Sequence, residues 1–367
     1  MFDDIRPYRD DEVAVVIQKL IHDQGLLSSI ASFKLPRLYK TLPKLCCTLV
    51  KWTLKLRSSR FHNIEEIQSE VAKYLHHLVK KSTDGFSFNG LDKIDTTKPM
   101  LFISNHRDIV LDVALINWAL YKSDINTVEA AVGDNLLQQP WVADLMRINK
   151  SFIVKRSEKT KRAMLNASKQ LSAYIHHTVH ERQQNIWIAQ REGRAKDGID
   201  KTNSALISML LLNKDKQVSI ADYLSEINIV PVSISYEFDP CDRDKAIELA
   251  ERDATGCYQK KENEDLNSIT QGLNGKKGRV HVEFCHAIKG EFSDSKAVAK
   301  AIDQEIIANY KLYDSNLTAY AQLHQKDDIK QNVLAQLNSR MAELTQEQQQ
   351  WLLTMYANPV SAKQMLD

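Results

Sequence analysis

The stretch ISNHRDIVLD holds the residues best suited to chemistry: His106, followed by Asp108 and Asp112. His106 ends an apolar run, MLFIS, that reads as a strand, and an apolar helix follows it. That order predicts a histidine at the carboxyl end of a strand, where open α/β sheets bind ligands. A neutral imidazole placed there can take a proton from a hydroxyl, provided that a carboxylate fixes its tautomer and stabilises the cation that forms. Asp108 stands immediately before the helix expected at 109–120, whose first N–H groups need acceptors, so its expected role is an N-cap. Asp112 is the one charged residue within that helix and lies in its first turn, where side chains lean back toward the N-terminus. Its burial demands a partner. Asp112 is therefore the expected mate of His106, with Asp108 as the alternative. Alone, a histidine in such a place is as readily a hydrogen-bonded turn residue.

Three more blocks follow in order. SFIVKR carries an apolar strand straight into Lys155 and Arg156, a place to hold a phosphate, bidentately through arginine. NIWIAQ leads into Arg191-Glu192-Gly193-Arg194-Ala195-Lys196, a glycine for close backbone approach among three cations. VPVSISY sets Pro231 at the start of another strand. Other chemistries lack their patterns. There is no Gly-x-Ser-x-Gly elbow for a serine nucleophile and no Gly-x4-Gly-Lys-Ser/Thr phosphate loop. His176, His177 and His180 put two histidines four apart on a helix, but without the intervening glutamate of a zinc-binding His-Glu-x-x-His they read as a polar flank, and no metal is expected.

Taken together, SNHR…D, FIVKR, EGR and VPVSISYE resemble the four ordered blocks of the glycerolipid acyltransferase family, the glycerol-3-phosphate and lysophosphatidate acyltransferases. Those blocks are a His-x4-Asp after an asparagine, a Phe-Ile-x-Arg, a Glu-Gly-x-Arg and a Val-Pro-hydrophobic strand. The resemblance covers about residues 99–290, and the stretch at 256–288 looks nearer the glycerol-3-phosphate branch. Five residues rather than four separate His106 from Asp112, and Lys155 precedes Arg156, so either cation could meet the phosphate. The resemblance implies an O-acyltransferase of phospholipid synthesis or remodelling in which His106 deprotonates an acceptor hydroxyl for attack on an acyl thioester. Arg156, Arg194, Lys196, Lys155 and Arg107 would then serve the acceptor's phosphate, Glu192 and Gly193 would shape that loop, and Pro231 would line the acyl side. It implies acyl-CoA or acyl carrier protein as co-substrate, a glycerol phosphate or lysophospholipid acceptor and no cofactor. Acylation of another lipid alcohol, or a non-catalytic lipid- or partner-binding member, are the alternatives.

The elements that must position these residues are legible in the pattern. Residues 10–82 show helical periodicity with little glycine; after the turn-rich FSFNGLDKIDTTKP, short apolar runs alternate with helices; from 291 the chain is helical again. This predicts an α/β fold, a mixed central sheet flanked by helices. The expected division is an N-terminal helical region at 1–95, a catalytic domain at 96–290 and a C-terminal helical extension at 291–367. In the last helix Thr345 and Gln348 have capping-box spacing, and Asn358-Pro359 reads as a stop.

Composition narrows the setting. With 367 residues and a net charge of +2, the chain can bury a full core and is not a dedicated nucleic-acid binder. Five cysteines without a Cys-x-x-Cys pair fit a reducing compartment. The acidic start MFDDIRPYRDDEV and the lack of any eighteen-residue apolar run predict a cytoplasmic protein without a membrane span. Residues 34–60 differ from the rest: eight cations, no acid, and leucines and Trp52 interleaved among them. Such a segment can lie in the interface of an anionic membrane, which makes a peripheral location on the cytoplasmic face the expectation.

Overall fold

The computed structural model describes residues 2–137, 139–261 and 264–366. Helices come first: α1 (Asp10–His22), α2 (Gln24–Lys34), α3 (Pro36–Thr41), α4 (Pro43–Ser58) and α5 (Ile64–Ser82). The alternating region runs β1 (Gly85–Asn89), β2 (Leu101–Ser104), α6 (Leu111–Lys122), β3 (Glu129–Gly133), α7 (Pro140–Ile148), β4 (Ser151–Val154), α8 (Lys161–His176), β5 (Ile186–Ala189), α9 (Ser204–Leu210), α10 (Ile220–Ile227), β6 (Ile229–Tyr236), α11 (Asp242–Thr255), α12 (Glu264–Asn274) and β7 (Arg279–Phe284). Four helices close the chain: α13 (Ser295–Ala308), α14 (Asp314–Leu323), α15 (Gln331–Met341) and α16 (Gln346–Gln364). The class is mixed α/β.

These elements gather into two compact units. One takes residues up to 74 together with 128–174. In it Val13, Val16 and Leu20, one stripe of α1, pack with Leu26 and Ile148. Leu27 and Ala31 of α2 pack with Cys46, Cys47 and Val50 of α4. Pro36 and Pro43 open α3 and α4, where a missing N–H costs nothing. β3 and β4 pair in parallel, Ala130 opposite Ser151 through Gly133 opposite Val154. α4 is apolar on two sides. Its inward stripe is covered, whereas Leu45, Leu49, Trp52 and Leu56 are 43–62% exposed.

The other unit, residues 75–127 and 175 onward, holds the strands β1, β7, β6, β2 and β5 in that order. β2 pairs in parallel with β5 and β6, Ser104 lying opposite Ala189 and Val232. β6 turns the sheet mixed by running antiparallel to β7, which in turn pairs in parallel with β1. All of β6 is buried, as a strand covered on both faces must be. Pro231 is tolerated in this central strand because it lies one position beyond the antiparallel ladder, whose last pair is Val232 with Phe284; its carbonyl still accepts the Cys285 N–H at 2.9 Å.

The structure corrects three expectations here. FSFN is not a turn but the edge strand β1, short and polar on alternate positions, which masked it in the sequence. The helix expected from Ile109 begins at Leu111, after a turn closed by Asp108. Asn358-Pro359 does not stop the last helix. Capped by Thr345 and Gln348 as their spacing predicts, α16 runs through Pro359 to Gln364. The proline removes a single N–H, and the Met355 carbonyl it would have bonded is met from outside the helix by Gly198, as described below.

Candidate active site

The carboxyl ends of β2, β5 and β6 lie side by side, so the residues that leave them converge. From β2 come Asn105 and His106. Asn105 is fully buried and works as a clip: its Oδ1 accepts the Ile234 N–H at 2.8 Å, while its Nδ2 donates to the Ile234 carbonyl at 3.0 Å and to Asp200 at 3.1 Å. This ties the turn to β6 and fixes where the next side chain emerges. His106 keeps 14% of its side chain exposed, and Nδ1 stands 2.8 Å from Asp112 Oδ2. The same oxygen accepts the N–H groups of Arg107 at 2.7 Å and Asp108 at 2.9 Å. Asp112 Oδ1 accepts the Tyr236 hydroxyl at 2.8 Å. A carboxylate with no exposed surface thus has both oxygens satisfied by four donors, which offsets its desolvation without any cation.

This geometry assigns the imidazole. With Nδ1–H given to Asp112, Nε2 is unprotonated and available as a base. Trp187 stands edge-to-face on the His106 ring, centroids 5.9 Å apart, and its Nε1–H is itself held by Ser104 Oγ at 2.9 Å. Tyr236 keeps its proton: burial, and then the charge of Asp112, raise its pKa well above the ordinary value of 10. Asp108 closes the turn, its Oδ1 accepting the N–H groups of Val110 at 2.9 Å and Leu111 at 2.8 Å. Burial and the neighbouring Asp112 raise the Asp108 pKa. α6 starts at Leu111, directly after this turn.

The loop after β5 carries the cations. Its Ala195 N–H donates to the His106 carbonyl at 2.7 Å, so the loop is fastened to the base's own backbone. Arg194 is half-buried and reaches Ser268 Oγ of α12 at 3.3 Å. Gly193 takes φ +73°, which side-chain-bearing residues rarely adopt, and no atom lies within 4 Å of where a Cβ would be. Glu192 is exposed. Lys196 forms an ion pair with Glu248, which also holds Arg252 at 2.7 Å. Burial lowers the Lys196 pKa against the pull of Glu248.

Arg107, grouped by the sequence with the phosphate ligands, is placed instead in the interior. It is 8% exposed, donates to Asp200 at 2.7 Å and to the Gly198 carbonyl at 3.2 Å, and faces the Tyr310 ring. Burial opposes its charge, but Asp200 together with Tyr310, Asp239 and Asp197 outweighs that and raises its pKa. Lys245 of α11 holds the Arg107 carbonyl at 2.7 Å and pairs with Asp239. Pro231 is buried within β6.

In the other unit, Lys155 is engaged by Asp4 and by Gln170 at 3.2 Å. Arg156 is exposed, its backbone N–H held by Asp134 at 3.1 Å. Its side chain lies over Gly133, where a Cβ would come within 3.2 Å of the guanidinium carbon. In the unit of β2, His176 stacks on His180 and Tyr223, and His177 pairs with Glu181 at 2.9 Å. Among the described residues no cluster could hold a metal ion.

Tyr236, Trp187, Asp200 and Lys245 were missed by sequence reasoning. Tyr236 and Trp187 end or occupy strands that the pattern does predict, so their position at the carboxyl edge was an available signal. Asp200 and Lys245 reach the site from a loop and from α11, and no local pattern marks them.

Residues 85–235 match the family model described as Acyltransferase, a span that includes His106, Asp112, Arg156, Arg194 and Pro231. No curated protein matches the chain. Among solved structures it is similar to the 1-acyl-sn-glycerophosphate (LPA) acyltransferase PlsC from Thermotoga maritima, with 13% identity over 77% of this chain and 92% of that one, and a TM-score of 0.40.

Proposed function

We propose that this chain is an acyltransferase that moves a fatty acyl group from an acyl thioester to the hydroxyl of a glycerol phosphate or lysophospholipid. The observation that carries the reading is the His106–Asp112 pair, whose geometry leaves Nε2 free, set beside a cationic loop fastened to the histidine's own carbonyl. The match of residues 85–235 to the Acyltransferase model supports it. His106 Nε2 takes the proton of the acceptor hydroxyl as the oxygen attacks the thioester carbonyl. A C–O bond forms and the carbonyl electrons move to oxygen; their return breaks the C–S bond. The leaving thiolate recovers the proton from the imidazolium, or departs as thiolate while the imidazolium gives the proton to water. Asp112 stabilises the imidazolium through the interval.

Arg194 is the arginine we assign to the acceptor's phosphate, because a guanidinium can meet two phosphate oxygens at once, with Arg156 as the alternative. Arg107 and Lys196 are engaged by carboxylates and support the loop instead. The donor is acyl-CoA or acyl carrier protein. The unpartnered stripe Leu45, Leu49, Trp52 and Leu56, with Lys44, Lys51, Lys55 and Arg57 on the same helix, supports adsorption to an anionic membrane surface, where a lipid product would be released. Among the described residues no helix is long and apolar enough to cross a membrane.

The test is an acceptor screen. Purified protein should release free thiol from palmitoyl-CoA or palmitoyl-acyl carrier protein when glycerol 3-phosphate or a lysophosphatidate is present, and not otherwise. Thiol release that no phosphorylated acceptor accelerates refutes the reading.

A further inference from the structure

The sequence singles out Asn358-Pro359, and a role as helix terminator does not account for it. We propose that Asn358 is a positioning residue: through it the C-terminal helix α16 holds the cationic loop in place and thereby sets affinity for the acceptor. The proposal rests on the reading of Arg194 as a phosphate ligand.

The contacts form one continuous path. Asn358 Nδ2 donates to the Asp197 carbonyl at 2.8 Å. At the next residue, Gly198, a Cβ would fall 2.1 Å from the Met355 carbonyl oxygen, and φ is +79°, so both space and conformation require glycine there. Pro359 explains why that carbonyl can be approached. In a regular helix the N–H of residue 359 would bond the carbonyl of residue 355, and proline has none. From Gly198 the path continues inward: its carbonyl accepts from Arg107, which also binds Asp200. Two residues on, the Thr202 N–H is held at 2.6 Å by Asp303 of α13. Two residues before Asp197, Ala195 is fastened to His106. Arg194 directly precedes the tether to the base, and the tether to α16 follows at Asp197, so both fix the chain on the carboxyl side of Arg194. Tyr356 anchors this part of α16 by accepting the Asp239 N–H at 2.9 Å and donating to Asp242 at 2.8 Å. A segment fastened at two points directly after Arg194 limits where that cation can go, which is the preorganisation that phosphate binding needs.

The experiment compares the full chain with Asn358→Ala, Asn358→Asp, which keeps the shape but cannot donate to a carbonyl, and Thr354→Ala as a control on the same helix. Trypsin cleavage after Arg191, Arg194 and Lys196, and amide exchange over 191–200, read the loop without reference to activity. Both Asn358 variants should speed cleavage and exchange there by about three- to tenfold, as loss of one hydrogen bond implies, with the melting transition and exchange elsewhere unchanged. Acceptor KM should rise by a similar factor, about three- to tenfold, with kcat and donor KM within about twofold. Thr354→Ala should behave as the parent. Loop cleavage and exchange equal to the parent's overturn the brace. A loosened loop with unchanged acceptor KM, or equal losses in both substrates' constants and in kcat, overturns the claim that the brace serves the acceptor. If the parent transfers acyl groups to no phosphorylated acceptor, the functional reading fails, and the loop measurements still decide whether Asn358 holds the loop.

Discussion

Asp112→Asn isolates the charge that the dyad depends on. Asp112 Oδ2 is met by two backbone N–H groups, from Arg107 and Asp108, as well as by His106. Those N–H groups cannot turn away, so an asparagine must place its carbonyl oxygen there and its NH2 toward Tyr236, whose hydroxyl oxygen can accept. The His106 tautomer is thereby kept and the negative charge alone is lost. Two unit charges about 4 Å apart attract by about 4 kcal/mol at an effective dielectric constant of 20. Since about 1.4 kcal/mol is tenfold in rate, kcat should fall by about 10³ through loss of imidazolium stabilisation. KM should change little, because the charge matters most when the histidine is protonated. Asp108→Asn should keep kcat within about threefold, since asparagine accepts the Val110 and Leu111 N–H groups as aspartate does. Its stability should respond with a definite sign. The folded-state pKa of Asp108 is raised, so its ionised form costs stability at neutral pH, and the cost disappears as pH falls toward the ordinary carboxylate value of 3.8. Asp108→Asn should accordingly melt at or above the parent at pH 7.5, with any advantage gone near pH 4. The assays are thiol release at saturating substrates and thermal melts across that pH range. An Asp112→Asn protein keeping more than about a tenth of kcat, or an Asp108→Asn protein that is folded and inactive, would refute the assignment.

Tyr236→Phe removes the one donor to Asp112 Oδ1, a hydrogen bond to a charged group worth about 1.5–3 kcal/mol, so kcat should fall by about tenfold or more. An unchanged kcat would show that Tyr236 only fills space. Arg194→Lys preserves charge but not the two-pronged contact, and should raise acceptor KM by about tenfold with donor KM unaffected. If acceptor kinetics survive at both Arg194 and Arg156, the phosphate is held elsewhere. Binding to anionic vesicles should weaken in 1 M salt, where the screening length is about 3 Å, and in Trp52→Glu at any salt. Equal binding to neutral vesicles at high salt counts against the electrostatic half of that reading.

The alternating pattern was enough to place β2, β5, β6 and α6, because each buries an apolar run between polar turns. It also located Asp112 on α6, since a lone carboxylate inside an apolar helix must have a partner. It could not find β1, whose Ser87 and Asn89 make an edge strand look like a turn. Nor could it tell a cation held by a carboxylate from one that is not: Arg107 and Arg194 look alike in sequence, and what separates them is Asp200, 93 residues from Arg107. Tyr236 lay in plain view at the end of a predicted strand, but its bond to Asp112 spans 124 residues. Proline at 359 has the local signature of a stop, and only the approach of Gly198 gives the freed carbonyl a neighbour.

Whether His106 is the base of an acyl transfer is decided by thiol release from an acyl thioester by the parent and by His106→Ala, each with and without glycerol 3-phosphate or a lysophosphatidate. The parent should release thiol in an acceptor-dependent way, and that release should fall by about 10³ or more in a variant whose melting curve matches the parent's. Acceptor-dependent release that survives His106→Ala would contradict that role.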